Sequence, residues 1–371
     1  MTKVSSRKLL PALLALVVGV GTLGVAKAQE ETYEMSIQTA VPNSSIYFGL
    51  VERLGERIER MSNGQLEVRV LPDGAEVQAF EILDAVSDGV VEAGYAWPHY
   101  WSGKNSAYLL FSNVPASTGM DQQTLMAWYH EGGGKELYQE LNTEVMGYDT
   151  VAFLMQPMGP DPLGWFSQPF ESLDEFSSLK YRAPPGIAGQ TYNRMGIPAV
   201  AMPGGDIVPS AERGTIDAAE WIGPADDKAL GLSEIWDNYY LQGLHQQTDV
   251  GELQINAEFW NSLPEHLRMI VETAILANTA ETLHVNLHEN SAAVRDYEAE
   301  GITVHDTPDE YFAEFIAAQN EIIGDYLEDD AFFAEVYESQ ADYAEMVYPY
   351  HSRIVALYNN VIEEAHAARN E

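Results

Sequence analysis

Three residues near the middle of this 371-residue chain carry charge in a setting that ought to exclude it. Arg182 ends Lys180-Tyr-Arg182, a strand pattern followed by Ala-Pro-Pro, so a planar guanidinium fork suited to a carboxylate stands among apolar and rigid neighbours. Glu220 and Trp221 close a second strand in Ala218-Ala-Glu-Trp-Ile-Gly-Pro224, and Asp161 sits in Gly159-Pro-Asp-Pro-Leu-Gly-Trp165, a loop directly after a strand at 151–155. One fork for an anion and two carboxylates for a cation or a donor are the chemistry of binding. Pattern alone leaves the ordinary alternative open at each position, because an exposed loop acid needs no function.

Catalytic signatures are missing. The chain has no Gly-x-Ser-x-Gly elbow and no His-Glu-x-x-His. Gly132-Gly-Gly-Lys135 lacks the spacing and the Ser/Thr of a phosphate loop and reads as a break between helices. His284 and His288 share a helix face, but without a third ligand they read as a surface pair. With no Cys, a disulfide scaffold, a thiol nucleophile and Cys-ligated metals are excluded. These absences predict a protein that is not an enzyme.

Composition sets further limits. There are 57 Asp+Glu against 19 Lys+Arg, a formal charge of −38, yet 46% of residues are hydrophobic, so the chain is globular rather than an acidic disordered tail. Nucleic acid is excluded as a partner, since phosphate binding needs a basic surface. At the start, Lys3, Arg7 and Lys8 precede an apolar stretch at 9–25, and Ala26-Lys27-Ala28 supplies a small-x-small cleavage pattern. The expectation is a signal peptide removed after Ala28 and a periplasmic destination. Its removal takes four basic residues and no acid, leaving 15 basic against 57 acidic residues, or −42.

The elements that must hold the three charged positions read as alternating strands and helices. Tyr33 to Thr39 alternates apolar and polar; from Ile46 the residues Leu50, Leu54, Ile58 and Met61 recur at helical spacing until Asn63-Gly64. Leu66 to Val70 is a strand, and a helix around Leu83 and Val86 stops at Asp88-Gly89 before another strand. This unit recurs: 81–95 aligns with 206–220, pairing Gly89 with Gly214, Val91 with Ile216 and Ala93 with Ala218. Two α/β lobes with mostly parallel sheets follow, and ligands of such sheets bind beyond the carboxyl ends of strands. Helix–Gly–strand is also a common local solution without any repeat. From Glu265 the pattern is helical to about 300, and it is helical again from Pro308 to the end with a break at Pro349.

With these stretches in place the chain resembles the extracytoplasmic solute-binding subunit of tripartite ATP-independent periplasmic (TRAP) transporters. It most resembles the branch for 2-oxo and 2-hydroxy monocarboxylates. The resemblance rests on Ala79-Phe-Glu-Ile-Leu-Asp-Ala85, Tyr100-Trp-Ser-Gly-Lys-Asn105, Gly164-Trp-Phe166, Met202-Pro-Gly-Gly-Asp-Ile207, Ile216-Asp-Ala-Ala-Glu-Trp-Ile-Gly-Pro224 and Asn261-Ser-Leu-Pro-Glu265. It implies a two-lobed periplasmic-binding-protein fold of class α/β, with a ligand cleft, a long connecting helix and a helical C-terminal extension. The implied divisions are 1–28 signal peptide, 29–150 first lobe with later C-terminal segments returning to it, 151–260 second lobe, 261–300 helix spanning the lobes, and 301–371 a helical C-terminal region that is a candidate dimerisation element. The implied partners are a small carboxylate, the membrane permease subunits of a TRAP transporter and a second copy of the chain.

Carried over by position, the ligand-clamping Arg falls on Arg182 and a ligand-contacting Tyr on Tyr100. A cation-holding pair, one side chain and the next residue's carbonyl, falls on Glu220 and Trp221. The family's cation-binding Gln is Asp161 here, its Asn is Pro157 with Gln156 adjacent, and its Trp-His pair is Leu244-His245. Tyr100, Trp101 and Trp165 are candidates for shutting out water, or for core packing. Arg182 offsets one ligand carboxylate, which leaves Asp161 and Glu220 as two negatives. Two carboxylates favour Ca2+ over Na+ as a bridging metal cation. The rival reading has the two acids accept a ligand ammonium directly, as from an amine or amino acid.

Overall fold

The computed structural model describes Met1 and residues 31–370. Residues 2–28 of the expected signal peptide and its cleavage point after Ala28 lie outside them. The strands in chain order are β1 (Tyr33–Thr39), β2 (Leu66–Leu71), β3 (Ala93–Ala96), β4 (Thr150–Pro157), β5 (Gly164–Phe166), β6 (Tyr181–Ala183), β7 (Ala199–Ala201), β8 (Ala218–Ala219), β9 (Asn238–Tyr240), β10 (Val250–Asn256) and β11 (Thr303–His305). They form a five-stranded sheet in the order β2-β1-β3-β10-β4 and a six-stranded sheet in the order β11-β9-β5-β8-β6-β7. Each sheet with the helices on it makes one lobe.

Local sequence explains the first lobe. Alternation buries Met35 and Ile37 on β1. The Ile46–Met61 helix starts where the Ser45 hydroxyl accepts the Tyr47 amide at 3.1 Å, and it buries Leu50, Val51, Leu54 and Ile58. It ends at Asn63 and Gly64, both with positive φ. The repeat seen in sequence is real in space. The helices Ile82–Ser87 and Ile207–Glu212 each give way to a left-handed glycine, Gly89 at φ 71° and Gly214 at φ 66°, and then to β3 and β8.

The boundary expected near residue 150 moves. Strands β4 and β10, assigned by sequence to the second lobe, belong to the first sheet: β4 pairs with β10 antiparallel from Thr150↔Asn256 to Pro157↔Val250, and β10 pairs with β3. Chain order gives no sign of a pairing that closes over about a hundred intervening residues, and hydropathy reports burial rather than partner. The two sheets are also mixed rather than mostly parallel, because β10 and β5 each run against both neighbours.

The Glu265–Glu300 helix, 36 residues and about 54 Å long, touches both lobes. Asn278 donates to the Leu50 carbonyl at 2.8 Å, Asn286 accepts from the Tyr47 hydroxyl at 2.9 Å, and Asn290 accepts the Ala225 amide at 3.0 Å. Beyond it, the Ala331–Asn370 helix passes through Pro349 without the expected break. Glu345, whose carbonyl the proline leaves unpaired, and Pro349 itself are exposed, so water can satisfy the freed group. From residue 356 to 369 every position of this helix is exposed. Among the described residues no helix is long and apolar enough to cross a membrane.

One buried network in the first sheet anchors the segment that carries Tyr100. Glu252 on β10 accepts from Trp101 Nε1 at 2.5 Å, from the Tyr138 hydroxyl, and from Gln254 Nε2 at 2.6 Å. Burial pushes its carboxyl up to about 7 from an ordinary value of 4.5. The folded protein therefore keeps a proton that the unfolded chain releases first. Stability from this group is complete below about pH 4.5 and is lost as pH rises through about 7. Glu252→Gln is expected to flatten the pH profile of urea unfolding in that window, by roughly 3 kcal/mol at most. Parallel profiles for parent and variant would assign the slope to another group.

Candidate functional site

Strand ends from both sheets converge on one narrow cleft. From the first lobe, Trp97 follows β3, His99 and Tyr100 lie in the turn after it, and Asp249 precedes β10; from the second, Arg182 comes from β6, and Glu220 and Trp221 follow β8. The Trp97 and Trp221 rings stand 6.1 Å apart across the junction, and Tyr100 packs edge-on to Phe80 at 4.8 Å. Wider hollows such as that at Arg53, Arg57 and Glu281 are open surface features held by ion pairs.

Arg182 is 1% exposed. Its Nε and Nη2 donate to the Met202 carbonyl at 3.1 and 2.8 Å, and its Nη1 donates to the Glu220 carbonyl at 2.9 Å and to Glu220 Oε1. The guanidinium also lies 5.4 Å from the Trp221 ring centroid. Trp221 is held from the other side, where its Nε1 donates to Asp226 Oδ2 at 2.5 Å. The fork is thus tied to Glu220, and a ligand carboxylate would share it.

Around this pair the buried acceptors outnumber the donors. Gln156 Oε1, both Asp161 carboxylate oxygens and Glu220 Oε2 are buried without a hydrogen-bond partner, as is His245 Nε2. Gln156, one residue before the end of β4, has φ 54°, its Nε2 spent on Asn278 Oδ1 at 2.9 Å. The Asp161 amide donates to the Gln246 carbonyl at 2.9 Å, which fixes the loop but leaves the side chain unmatched. Burial pushes the Asp161 carboxyl well up, with Asp249, Glu220 and Asp227 adding repulsion and Arg182 opposing them. Asp249 is pushed up to about 8 by burial and then by Glu220, against the hydrogen bond it accepts from Ser112 at 3.0 Å. Unmatched buried carboxylate oxygens cost several kcal/mol unless a cation or donor meets them. Oxygen-only acceptors of this kind fit a hard cation. Among the described residues no three His, Cys, Asp or Glu side chains could hold a metal alone, so Gln156, a backbone carbonyl and ligand oxygens would complete such a site.

The structure therefore brings Arg182, Tyr100, Glu220 and Trp221 to the cavity wall, with Asp161 and His245 beside them; His245 Nε2 is 3.7 Å from Glu220 Oε2. Two aromatics fall elsewhere. Trp101 is committed to Glu252, and Trp165 is core, donating to Asp227 at 3.0 Å and packing on Tyr239 and Tyr297. His284 and His288 are exposed on the long helix, away from the cleft. Sequence reasoning missed His99, Asp249 and Gln246. Nothing local separates Asp249 from the other acids, although Trp97 lies in the strand end that the repeat marks.

The model for the bacterial extracellular solute-binding proteins of family 7 matches residues 37–330. The monocarboxylate 2-oxoacid-binding periplasmic protein of Nostoc sp. (strain PCC 7120) is 30% identical over 326 residues, 87% of each chain. A TRAP transporter solute-binding protein from Bordetella bronchiseptica RB50 superposes with a TM-score of 0.84 at 28% identity, covering 92% of this chain and all of that one. It is a mixed-occupancy dimer with copurified calcium and picolinate in one active site and the other apo. A TRAP periplasmic solute-binding protein from Pseudoalteromonas atlantica T6c, with bound sodium and pyruvate, gives a TM-score of 0.82 at 25% identity, covering 89% and 99% of the two chains.

The unmatched oxygens of Asp161 set a direct test. Asp161→Asn removes one of several mutually repelling buried acids while keeping its volume. In cation-free buffer at alkaline pH the variant is expected to gain on the order of 1–2 kcal/mol in urea unfolding. A loss of that size would show that the carboxylate is already satisfied in the ligand-free protein.

Proposed function

This chain belongs to family 7 of the bacterial extracellular solute-binding proteins, and from there we propose that it captures a small 2-oxo or 2-hydroxy monocarboxylate, pyruvate- or lactate-like, for delivery to the membrane subunits of a TRAP transporter. The observation that carries this reading is the composition of the cleft: one buried guanidinium against unmatched buried acceptors. Arg182 and Tyr100 are the groups for the oxygens of a small acid. Asp161, Glu220, the Trp221 carbonyl and Gln156 Oε1 are the donors for a bridging cation. Two carboxylates in that set favour Ca2+ over Na+. The bound calcium and sodium of the similar proteins support a cation of this class. Capture in the periplasm is consistent with the leader pattern at the start of the chain.

Thermal unfolding against a panel of 2-oxo and 2-hydroxy acids, with and without chelator, tests the reading. An acid at a thousand times its dissociation constant adds about 4 kcal/mol, and chelator is expected to abolish the shift. A chelator-insensitive shift with amines or amino acids would instead favour direct capture of an ammonium by Asp161 and Glu220. No shift with any acid would overturn the proposal.

The second copy of the chain belongs to the same reading. Leu357, Tyr358, Val361 and Ile362 are 52–63% exposed on a helical end that has no packing of its own, and an isolated helix of that length is marginal in water. A homodimer that covers this end is consistent with the dimer of the Bordetella protein. Sedimentation is expected to give a dimer for the full chain and a monomer for a chain ended at residue 350 that still binds the acid. A monomeric full chain at micromolar concentration would remove the dimer.

A further inference from the structure

Three hydrogen-bond donors from two lobes meet on one buried carboxylate. Asp226 lies in the Pro224–Leu230 helix that follows β8, and it is 2% exposed. Its Oδ1 accepts from the Ser45 hydroxyl and the Ile46 amide, both at 2.8 Å, and its Oδ2 accepts from Trp221 Nε1 at 2.5 Å. Ser45 and Ile46 open the Ile46–Met61 helix of the first lobe, whereas Trp221 belongs to the cleft wall of the second. Neither Ser45 nor Asp226 lines the cleft itself.

The chemistry of the three donors dictates the acid. An amide and an indole N–H can only donate. The Ser45 oxygen already accepts the Tyr47 amide at 3.1 Å, and its own proton goes to Asp226. A carboxylate accepts on both oxygens, whereas Asn would turn its NH2 against one lobe or the other. The 16-residue helix also presents its positive amino end to this negative charge. On the other side the Trp221 ring stands 5.4 Å from the Arg182 guanidinium, and a Cβ at Gly204 would come within 2.3 Å of it. One acid therefore sets the edge of a wall residue and holds the start of a helix in the opposite lobe.

The helix that touches both lobes makes this spot sensitive. On Glu265–Glu300, Asn286 bonds Tyr47 and Asn290 bonds Ala225, about one turn apart. Both halves of the contact thus hang from neighbouring turns of one element. A small rotation about that element lengthens bonds of 2.8 Å here and moves the cleft mouth further.

We propose that Asp226 is a clasp between the lobes and a positioning residue for Trp221, governing how slowly the captured acid leaves. Solute walled in from both lobes escapes only when they part, and parting breaks the bonds from Ser45 and Ile46. The same acid keeps the Trp221 ring against the cleft, so retention and wall geometry are coupled through one side chain. The role in retention rests on the proposed function; the clasp does not.

Stopped-flow fluorescence of pyruvate binding and small-angle scattering of the ligand-free full chain test this. Asp226→Asn is expected to speed release roughly ten-fold, with entry changed by no more than about two-fold, and to enlarge the ligand-free radius of gyration. Ser45→Ala is the second variant should Asp226→Asn fail to fold, with melting curves as the control. Its release is expected to be roughly three-fold faster, and Ser45→Thr, which keeps the hydroxyl, to restore the parent rate. Ser45→Ala added to Asp226→Asn is expected to change release little further, which loss of helix capping alone would not give. Equal radii in the parent and both variants would overturn the clasp whatever binds. Unchanged release in both variants of a parent that binds pyruvate would overturn its role in retention. A parent that binds no acid, with radii ordered as expected, would instead overturn the proposed function and leave the clasp standing.

Discussion

One guanidinium holds the second lobe's share of the cleft together. Arg182 ties the end of β6 to the Met202 carbonyl on one side and to the backbone and side chain of Glu220 on the other, so it fixes where β8 ends and where Trp221 begins. The cost is that a full ion pair sits at 1% and 0% side-chain exposure, where Coulomb attraction struggles to repay desolvation. Asp161 and Asp249 add acids to the same low-dielectric space. Charge of this sign is tolerable on the outside of a chain at −38, where water screens it. Inside, it must be met by protons, by donors or by a cation.

The second lobe's acids also fasten it to the first. Asp226 accepts from Trp221 Nε1 with one oxygen, and with the other from the Ser45 hydroxyl and the Ile46 amide, both at 2.8 Å. Those last two groups open the first lobe's Ile46–Met61 helix, whose amino end favours negative charge. The next residue, Asp227, accepts from Trp165 and from the Ile222 amide at 3.3 Å, so the two adjacent acids serve different lobes. Trp221 is thus gripped between Arg182 and Asp226, the acid that also reaches across to the first lobe.

What could be read from the chain follows from how local the cause is. Arg182, Glu220 and Trp221 stood out because charge at a strand end among apolar residues is a local contradiction, and the internal repeat places such an end in each lobe. Asp161 stood out because two prolines make its loop rigid. Asp249 and His99 are invisible by the same logic: each lies in an unremarkable polar context, and its burial comes from β10 returning across the first sheet. That return also undid the expected boundary, since antiparallel pairing of β4 with β10 is a long-range choice. Pro349 misled for the opposite reason. Its local rule is sound for a packed helix, but here the freed carbonyl faces solvent.

On the proposed reading, closure has a physical origin in this imbalance. The cavity wall takes Trp97, His99, Tyr100 and Asp249 from one lobe and Arg182, Glu220 and Trp221 from the other. Bringing the lobes together strips water from carboxylates that the protein alone does not match. An acid with its cation adds positive charge beside its own negative one to that space, and it supplies oxygens where Arg182 and Tyr100 present donors. The ligand pair therefore stabilises the closed arrangement far more than the open one, where water already serves the same groups. A ligand can shift such an equilibrium only by its differential affinity for the two states. The unmatched acids raise that difference by penalising closure when the cleft holds nothing.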